Sequence, residues 1–189
     1  MLISRFDTRE IEDHIKKFEA EYCFDFPNQY RDFLLKYNGG YSPKTKFRIN
    51  KVSSDVRGFY GFGSADINYS FFTENKEIDD YTSNKVIPIA CDSFGNYIVI
   101  SIDVDTCGQV YFEDHEQGNK LSLLTKDFAT FVKACKSEPI SEASKRSIEE
   151  REAVLIANGR KHVITDSLRA NWQAEIDKYG KMNQEELIL

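Results

Sequence analysis

An α+β fold with a central, mostly antiparallel sheet flanked by helices is what this 189-residue sequence predicts. Three observations carry that expectation. Two short segments with apolar residues at helical spacing come first, several β-rich runs separated by turn chemistry follow, and another helical stripe closes the series near residue 135. With 41% hydrophobic and 13% aromatic residues, the chain can bury a full core without disulfide or metal staples.

The elements follow in order. Asp7 and Glu10 have the spacing of a helix-start box, and Ile11, Ile15, Phe18 and Tyr22 recur on one face, which predicts a helix over about 8–22. Pro27 suits the first turn of a second helix that buries Tyr30, Phe33, Leu34 and Tyr37 and stops at Asn38-Gly39-Gly40, where glycine takes a left-handed cap. Phe47–Ile49 and Val56–Phe62 read as strands, and 66–78 as a loosely amphipathic helix. Val86–Ala90 is expected at an edge, because Pro88 lacks the N–H that a central strand needs. Asp92–Asn96 is turn chemistry, Tyr97–Ile102 a covered strand, and Gln109–Phe112 the strand that runs back after a second turn. Thr125 is placed to cap a helix with Phe128, Phe131, Val132 and Cys135 on one stripe.

Beyond a polar stretch at 137–147 the chain carries an extension. One helix is expected at about 142–157, ending at Asn158-Gly159, and a second at 166–180 with Leu168, Trp172, Ile176 and Tyr179 in line. Helices this short need a surface to pack on, so they are expected against the core. Gln184–Leu189 reads as a final edge strand.

Composition excludes several function classes. A net charge of −6 and a pI near 5.2, with no gathering of basic residues, argue against direct nucleic-acid binding. Cys23, Cys91, Cys107 and Cys135 match neither a zinc pair nor a disulfide framework and read as free thiols in a reducing compartment. The N-terminus is charged within five residues and no apolar run nears the ~18 residues of a membrane span. A soluble cytoplasmic protein with no membrane partner is the expectation. The loop Asp103-Val104-Asp105-Thr106-Cys107-Gly108 with Asp114 has calcium-loop spacing, but Cys107 sits at a ligand position and the flanks are strands, so a hairpin turn explains it better. His115, between Asp114 and Glu116, has neither His14 nor His162 in a shared motif, and no nucleophile elbow, P-loop or zinc-protease motif occurs. No catalytic residue, metal or cofactor is expected.

Three blocks, in this order, resemble the SUKH superfamily of toxin-immunity proteins, which also includes a fungal cell-wall synthesis regulator. They are Pro27, Tyr30 and Phe33 leading to Asn38, Gly39 and Gly40; Pro88 with Asp92, Gly95 and Asn96; and Gly108 through Tyr111 and Phe112 to Asp114 and His115. The family usually carries a tryptophan in the third block, where this chain has none. The resemblance implies a SUKH-like α+β domain over 1–138, followed by a C-terminal helical extension over 139–189. It also implies immunity: binding and stoichiometric block of a cognate toxin's C-terminal domain, often a basic nuclease. The second reading is an intracellular adaptor of the same fold with no toxin partner. The third is a small-ligand binder using the glycine-aromatic segment 58–63 as a pocket wall.

Charge agrees with a basic protein partner. The acidic excess lies within residues 1–140, in one cluster of Asp66, Glu74, Glu77, Asp79 and Asp80 and another of Asp103, Asp105, Glu113, Asp114 and Glu116. Such a face captures a basic partner through long-range attraction. Tyr60, Tyr69, Tyr81 and Tyr111 are expected to supply its desolvated anchors.

Overall fold

A computed structural model of the chain describes residues 1–74 and 77–189. It forms two compact units: Met1–Glu138 together with Gln184–Leu189, and Pro139–Asn183.

The first unit opens with β1 (Leu2–Arg5), α1 (Ile11–Tyr22) and α2 (Asn28–Tyr37). The expected start box does not form. Asp7 accepts instead from the backbone N and Nε of Arg9, and the chain turns into α1 through Glu10 at φ 61°, so the helix begins three residues later than its charge pattern suggests. Pro27 stands just ahead of α2, and Asn38 caps it in the left-handed conformation, φ 50°. Ile11, Ile15 and Phe18 of α1 and Tyr30, Phe33, Leu34 and Tyr37 of α2 are buried, as their spacing requires.

β2 (Gly40–Ile49) and β3 (Val52–Phe59) form a long hairpin that starts well before the expected strand. The stretch Tyr41-Ser42-Pro43-Lys44 lacks an apolar run, yet the strand continues through it, because pairing holds at Tyr41 and Thr45 and a register shift between them absorbs the proline. The expected helix over 66–78 is broken into a 3-10 turn at Ile67–Tyr69 and α3 (Phe71–Glu74), with α4 (Ile78–Ser83) following. A meander comes next: β4 (Val86–Cys91), β5 (Tyr97–Ser101), β6 (Val110–Asp114) and β7 (Lys120–Thr125), the last unforeseen. After it stand α5 (Phe128–Ala134) and β8 (Lys136–Ser137). Asp127, not Thr125, caps α5: its Oδ1 accepts from Thr130 N at 2.7 Å, while Thr125 Oγ1 donates to the Asp127 carbonyl.

The strand order is β7-β6-β5-β4-β3-β2-β1 with every neighbour antiparallel, and β8 pairs with β2. β4 is therefore interior, which corrects its placement at an edge. Pro88 is tolerated because β3 reaches β4 only at Gly58↔Cys91 and Phe59↔Ala90, and the β4–β5 register shifts between Pro88 and Ala90. One sheet face carries Phe47, Ile98, Ile100, Val110 and Phe112, which join the core with Phe33, Phe128 and Phe131 of the helices.

In the second unit, α6 (Ile148–Ala157) begins with a capping box between Ser147 and Glu150, and α7 (Asp166–Tyr179) is capped by Thr165. Arg151 joins them: Nη1 donates to Glu175 Oε2 at 2.7 Å while the guanidinium lies 5.8 Å from the centre of the Trp172 ring. The chain then returns to the first unit as β9 (Glu185–Glu186), which pairs antiparallel with β1 at the sheet's other end.

Candidate functional site

The turn Asp92–Asn96 and the turn at His115–Gln117 lie at the same end of the sheet, because Tyr97 of β5 stands opposite Glu113 of β6. Asp92, 2% exposed, holds the first turn. Its Oδ1 accepts from Phe94 N and Asn96 N, both at 2.8 Å, and its Oδ2 from Asn96 Nδ2 at 2.8 Å and Ser54 Oγ at 2.6 Å. A buried carboxylate is stable in this form, since each oxygen has donors in place of water. Asp55 of β3 accepts from both the backbone N and the Oγ of Ser93. Asn96 Oδ1 accepts from the backbone N and from Nδ1–H of His115, at 3.1 and 2.7 Å. Asp92 and Asn96 of the second sequence block and His115 of the third are thus one hydrogen-bonded assembly. Gly95 stands at φ 88°, a conformation that side-chain-bearing residues rarely adopt, while an added Cβ would make only an ordinary 3.8 Å contact with the His115 ring.

Beside this turn, Glu113 projects from β6 with 6% exposure, and its Oε2 accepts from Tyr81 Oη of α4 at 2.9 Å. Burial pushes the Glu113 carboxyl above its usual range, the Tyr81 hydrogen bond opposes this, and nearby Glu77 adds to the rise. Burial also raises Tyr81, and its bond to Glu113 adds to this effect. The Tyr81 ring packs edge-on against Tyr97 and Phe71. Leu121 of β7 stands directly across from Glu113, and Leu123 from Tyr111, both leucines exposed. Glu116 and Gln117 donate their backbone N–H groups to Asp114, which fixes that carboxylate on the second turn.

The structure regroups the expected acids. Glu77, Asp79 and Asp80 sit at the start of α4, which Tyr81 ties to Glu113, so part of the first cluster joins part of the second. Asp66 does not join them: it caps its own 3-10 turn and accepts from Tyr41 Oη at 2.7 Å. The Glu74 side chain lies outside the described residues. Asp103 and Asp105 belong to the β5–β6 connection, at the opposite end of β6 from Glu113, Asp114 and Glu116. That cluster is close in sequence but divided by the length of a strand. Two of the expected anchors are corrected as well: Tyr60 and Tyr69 are buried in the aromatic core, where Tyr60 packs on Phe71 and Tyr69 on Tyr41 and Phe6. Tyr60 lies in the glycine-rich segment 58–63 and Tyr69 ends the 3-10 turn at Ile67–Tyr69, where Gly58 leaves room for its ring, so neither ring is exposed. Tyr81 and Tyr111 are half-buried.

The remaining motif residues build the frame. Asn38 Nδ2 donates to the carbonyls of Asp7 and Phe62, and its Oδ1 accepts from Phe62 N. Gly39 lies against the Phe59 and Tyr60 carbonyls, and Gly40 against β1. Gly108, at φ 85°, sets the β5–β6 turn against Pro27. Tyr30 and Phe33 are core residues. What the sequence reading missed is Phe94, Leu121 and Asp55: an aromatic inside a turn, and the period-two pattern of KLSLLT, were the available signals.

Among the described residues, no three His, Cys, Asp or Glu side chains are grouped to hold a metal, and no helix is long and apolar enough to cross a membrane. All four cysteines are free; burial raises the Cys91 thiol and pushes Cys135 up to about 12.

No solved structure matches this chain. A SPbeta prophage-derived uncharacterized protein, YokK, of Bacillus subtilis (strain 168) is 29% identical, across 75% of this chain and 82% of its own length. The sequence model of the SMI1 / KNR4 family (SUKH-1) matches residues 12–134, from α1 to the last residue of α5. That span holds the hydrogen-bonded turn assembly, the Asn38-Gly39-Gly40 cap and the Tyr81–Glu113 contact, and by that match the chain belongs to the SMI1 / KNR4 (SUKH-1) family.

Proposed function

We propose that this chain is an immunity protein, acting in the cytoplasm, that binds the C-terminal domain of a cognate bacterial polymorphic toxin and neutralises it by one-to-one contact. Membership in the family is consistent with that role. The observation that carries the reading is a set of carboxylates that no basic side chain neutralises in the described ion pairs, although Glu113 and Asp114 accept neutral hydrogen bonds. Among the described ion pairs, none uses Glu113, Asp114, Glu116, Asp79 or Asp80, although Arg and Lys side chains pair with acids elsewhere on the chain. These acids stand on strand ends and on a helix joined to them, so their field is fixed in direction and speeds encounter with a basic surface.

A nuclease is the toxin class that such a surface suits. An enzyme that grips phosphates presents a positive active-site face, and an inhibitor bearing fixed carboxylates competes for it. The partner is a protein and not nucleic acid, because the same acids repel a phosphate backbone. The role proposed here is binding alone, with no reaction carried out by this chain.

The test is to co-express this chain with the C-terminal domain of the protein encoded immediately upstream of its gene, the domain expected to be the toxin. Restored growth and a one-to-one complex on size-exclusion chromatography are expected, with association slowing as salt rises. Undiminished toxicity with no complex formed would remove the proposal.

A further inference from the structure

Of the chain's 14 phenylalanines, 10 tyrosines and 1 tryptophan, Phe94 alone is exposed among the described residues, at 72%. It is also held in place. The backbone N–H groups of Ser93, Phe94 and Asn96 all donate to carboxylates of Asp55 or Asp92, and Asp92 is itself locked by Ser54 and Asn96. The turn is fastened on one side to β3 and on the other, through Asn96, to His115. A large apolar ring is therefore presented to water from a backbone with little freedom left. In binding, a preorganised anchor of this kind loses little entropy when its ring enters a pocket.

We propose that Phe94 is the anchor with which this end of the sheet docks into an apolar pocket on the toxin domain, a pocket rimmed by lysine or arginine; this rests on the reading above. The chemistry of the rim comes from what surrounds the ring. Asp55 lies on one side of the turn, and Asp114 caps the neighbouring turn, which contains Glu116 and which His115 joins to it. Leu121, 41% exposed across from Glu113, extends the apolar surface at the same end. The basic side chain paired across the strands here, Lys120, faces Asp114. Fixed carboxylates around an apolar knob favour a cationic rim and oppose an anionic lipid surface, a nucleic acid or a second copy bearing the same acids.

Phe94→Ala, Phe94→Trp and Val104→Ala decide the matter by titration calorimetry and dissociation kinetics, with the catalytically inactivated upstream toxin domain as the probe. Val104 is a control: 93% exposed, at the opposite end of β6. Phe94→Ala is expected to weaken binding by about 30-fold, mainly through faster dissociation, while its thermal midpoint stays unchanged. Phe94→Trp should retain binding, and Val104→Ala should stay within about twofold of the parent chain. Tight binding by the parent chain that Phe94→Ala leaves within about threefold would overturn the anchor while sparing the immunity reading. Failure of the parent chain to bind at all would overturn both.

Discussion

Tyr81 and Glu113 meet through a single 2.9 Å hydrogen bond that joins helix α4 to strand β6 across 32 positions of sequence. The bond supplies a donor to a carboxylate that has left water, and it draws Glu77, Asp79 and Asp80 to the end of the sheet that carries Asp114 and Glu116.

This bond gives a pH dependence of known sign. Burial raises the Glu113 carboxyl in the folded chain, so the folded state holds the proton more tightly than the unfolded state. The protonated carboxyl contributes stability that is present below the ordinary glutamate value and is lost as pH rises through the raised one. Glu113→Gln keeps an acceptor for Tyr81 and removes the charge. The variant should therefore be more stable than the parent at pH 7, with the advantage closing near pH 4. Urea unfolding at the two pH values checks this, and equal destabilisation at both would show that burial does not disfavour the charge. Tyr81→Phe should cost about 1–3 kcal/mol at pH 7 by leaving the carboxylate without its donor.

Asp92 predicts a larger loss. Four donors converge on its two oxygens, and Asp92→Ala leaves the Ser54 hydroxyl, two backbone N–H groups and the Asn96 amide seeking other partners. A cost of about 3 kcal/mol is expected from several donors left unsatisfied around a buried carboxylate. Hydrogen exchange of the Phe94 and Asn96 amides should rise in the variant. Unaltered exchange would mean that the turn holds its shape without the carboxylate.

Sequence periodicity found what depends on local pattern: the core stripes of α1, α2 and α5 and the β5–β6 hairpin. It failed where a distant partner decides. β2 begins at Gly40 because β1 and β3 pair with it, although Ser42, Pro43 and Lys44 have no strand-like run of their own. Pro88 sits in an interior strand because β3 ends at Phe59, opposite Ala90 and short of Pro88, which no local reading of proline can show. The acids were legible as clusters along the chain, but β6 separates Asp105 from Glu113 while Tyr81 brings α4 to Glu113 from another part of the sequence. Phe94 lay within a recognised turn, and only its exposure set it apart from the chain's other aromatics.

Gly39 separates conformational strain from collision. At φ 75°, an added Cβ would stand 2.6 Å from the carbonyl oxygens of both Phe59 and Tyr60, and backbone cannot swing aside as a side chain can. Gly39→Ala should cost at least about 2 kcal/mol, from unfavourable φ together with overpacking. Gly118, at φ 68° with nothing within 4 Å, carries the strain alone, so Gly118→Ala should cost about 1 kcal/mol. Denaturant midpoints of the pair measure the difference. Equal costs would show that the α2–β2 junction relaxes around the new methyl.

The last six residues complete the first unit. β9 pairs with β1, and Leu187, 5% exposed, joins the core cluster while its N–H donates to the Met1 carbonyl. Ile188 exchanges hydrogen bonds with the Tyr37 hydroxyl, its N–H donating at 3.0 Å and its carbonyl accepting at 3.3 Å, and Lys36 Nζ donates to the same carbonyl. Tyr37 is itself buried at the end of α2, so losing the segment strips a core hydroxyl of its partners as well as uncovering Leu187. Leu187→Ala should cost about 2–3 kcal/mol, and a chain ending at Asn183 more than that, because backbone pairing and the Tyr37 contacts go with it. Both should lower the urea midpoint of the main unfolding transition, followed by tyrosine fluorescence or far-ultraviolet dichroism. If the shortened chain unfolds at the parent's midpoint, then β1 is stable as an edge strand and the returning segment is an ornament on the sheet.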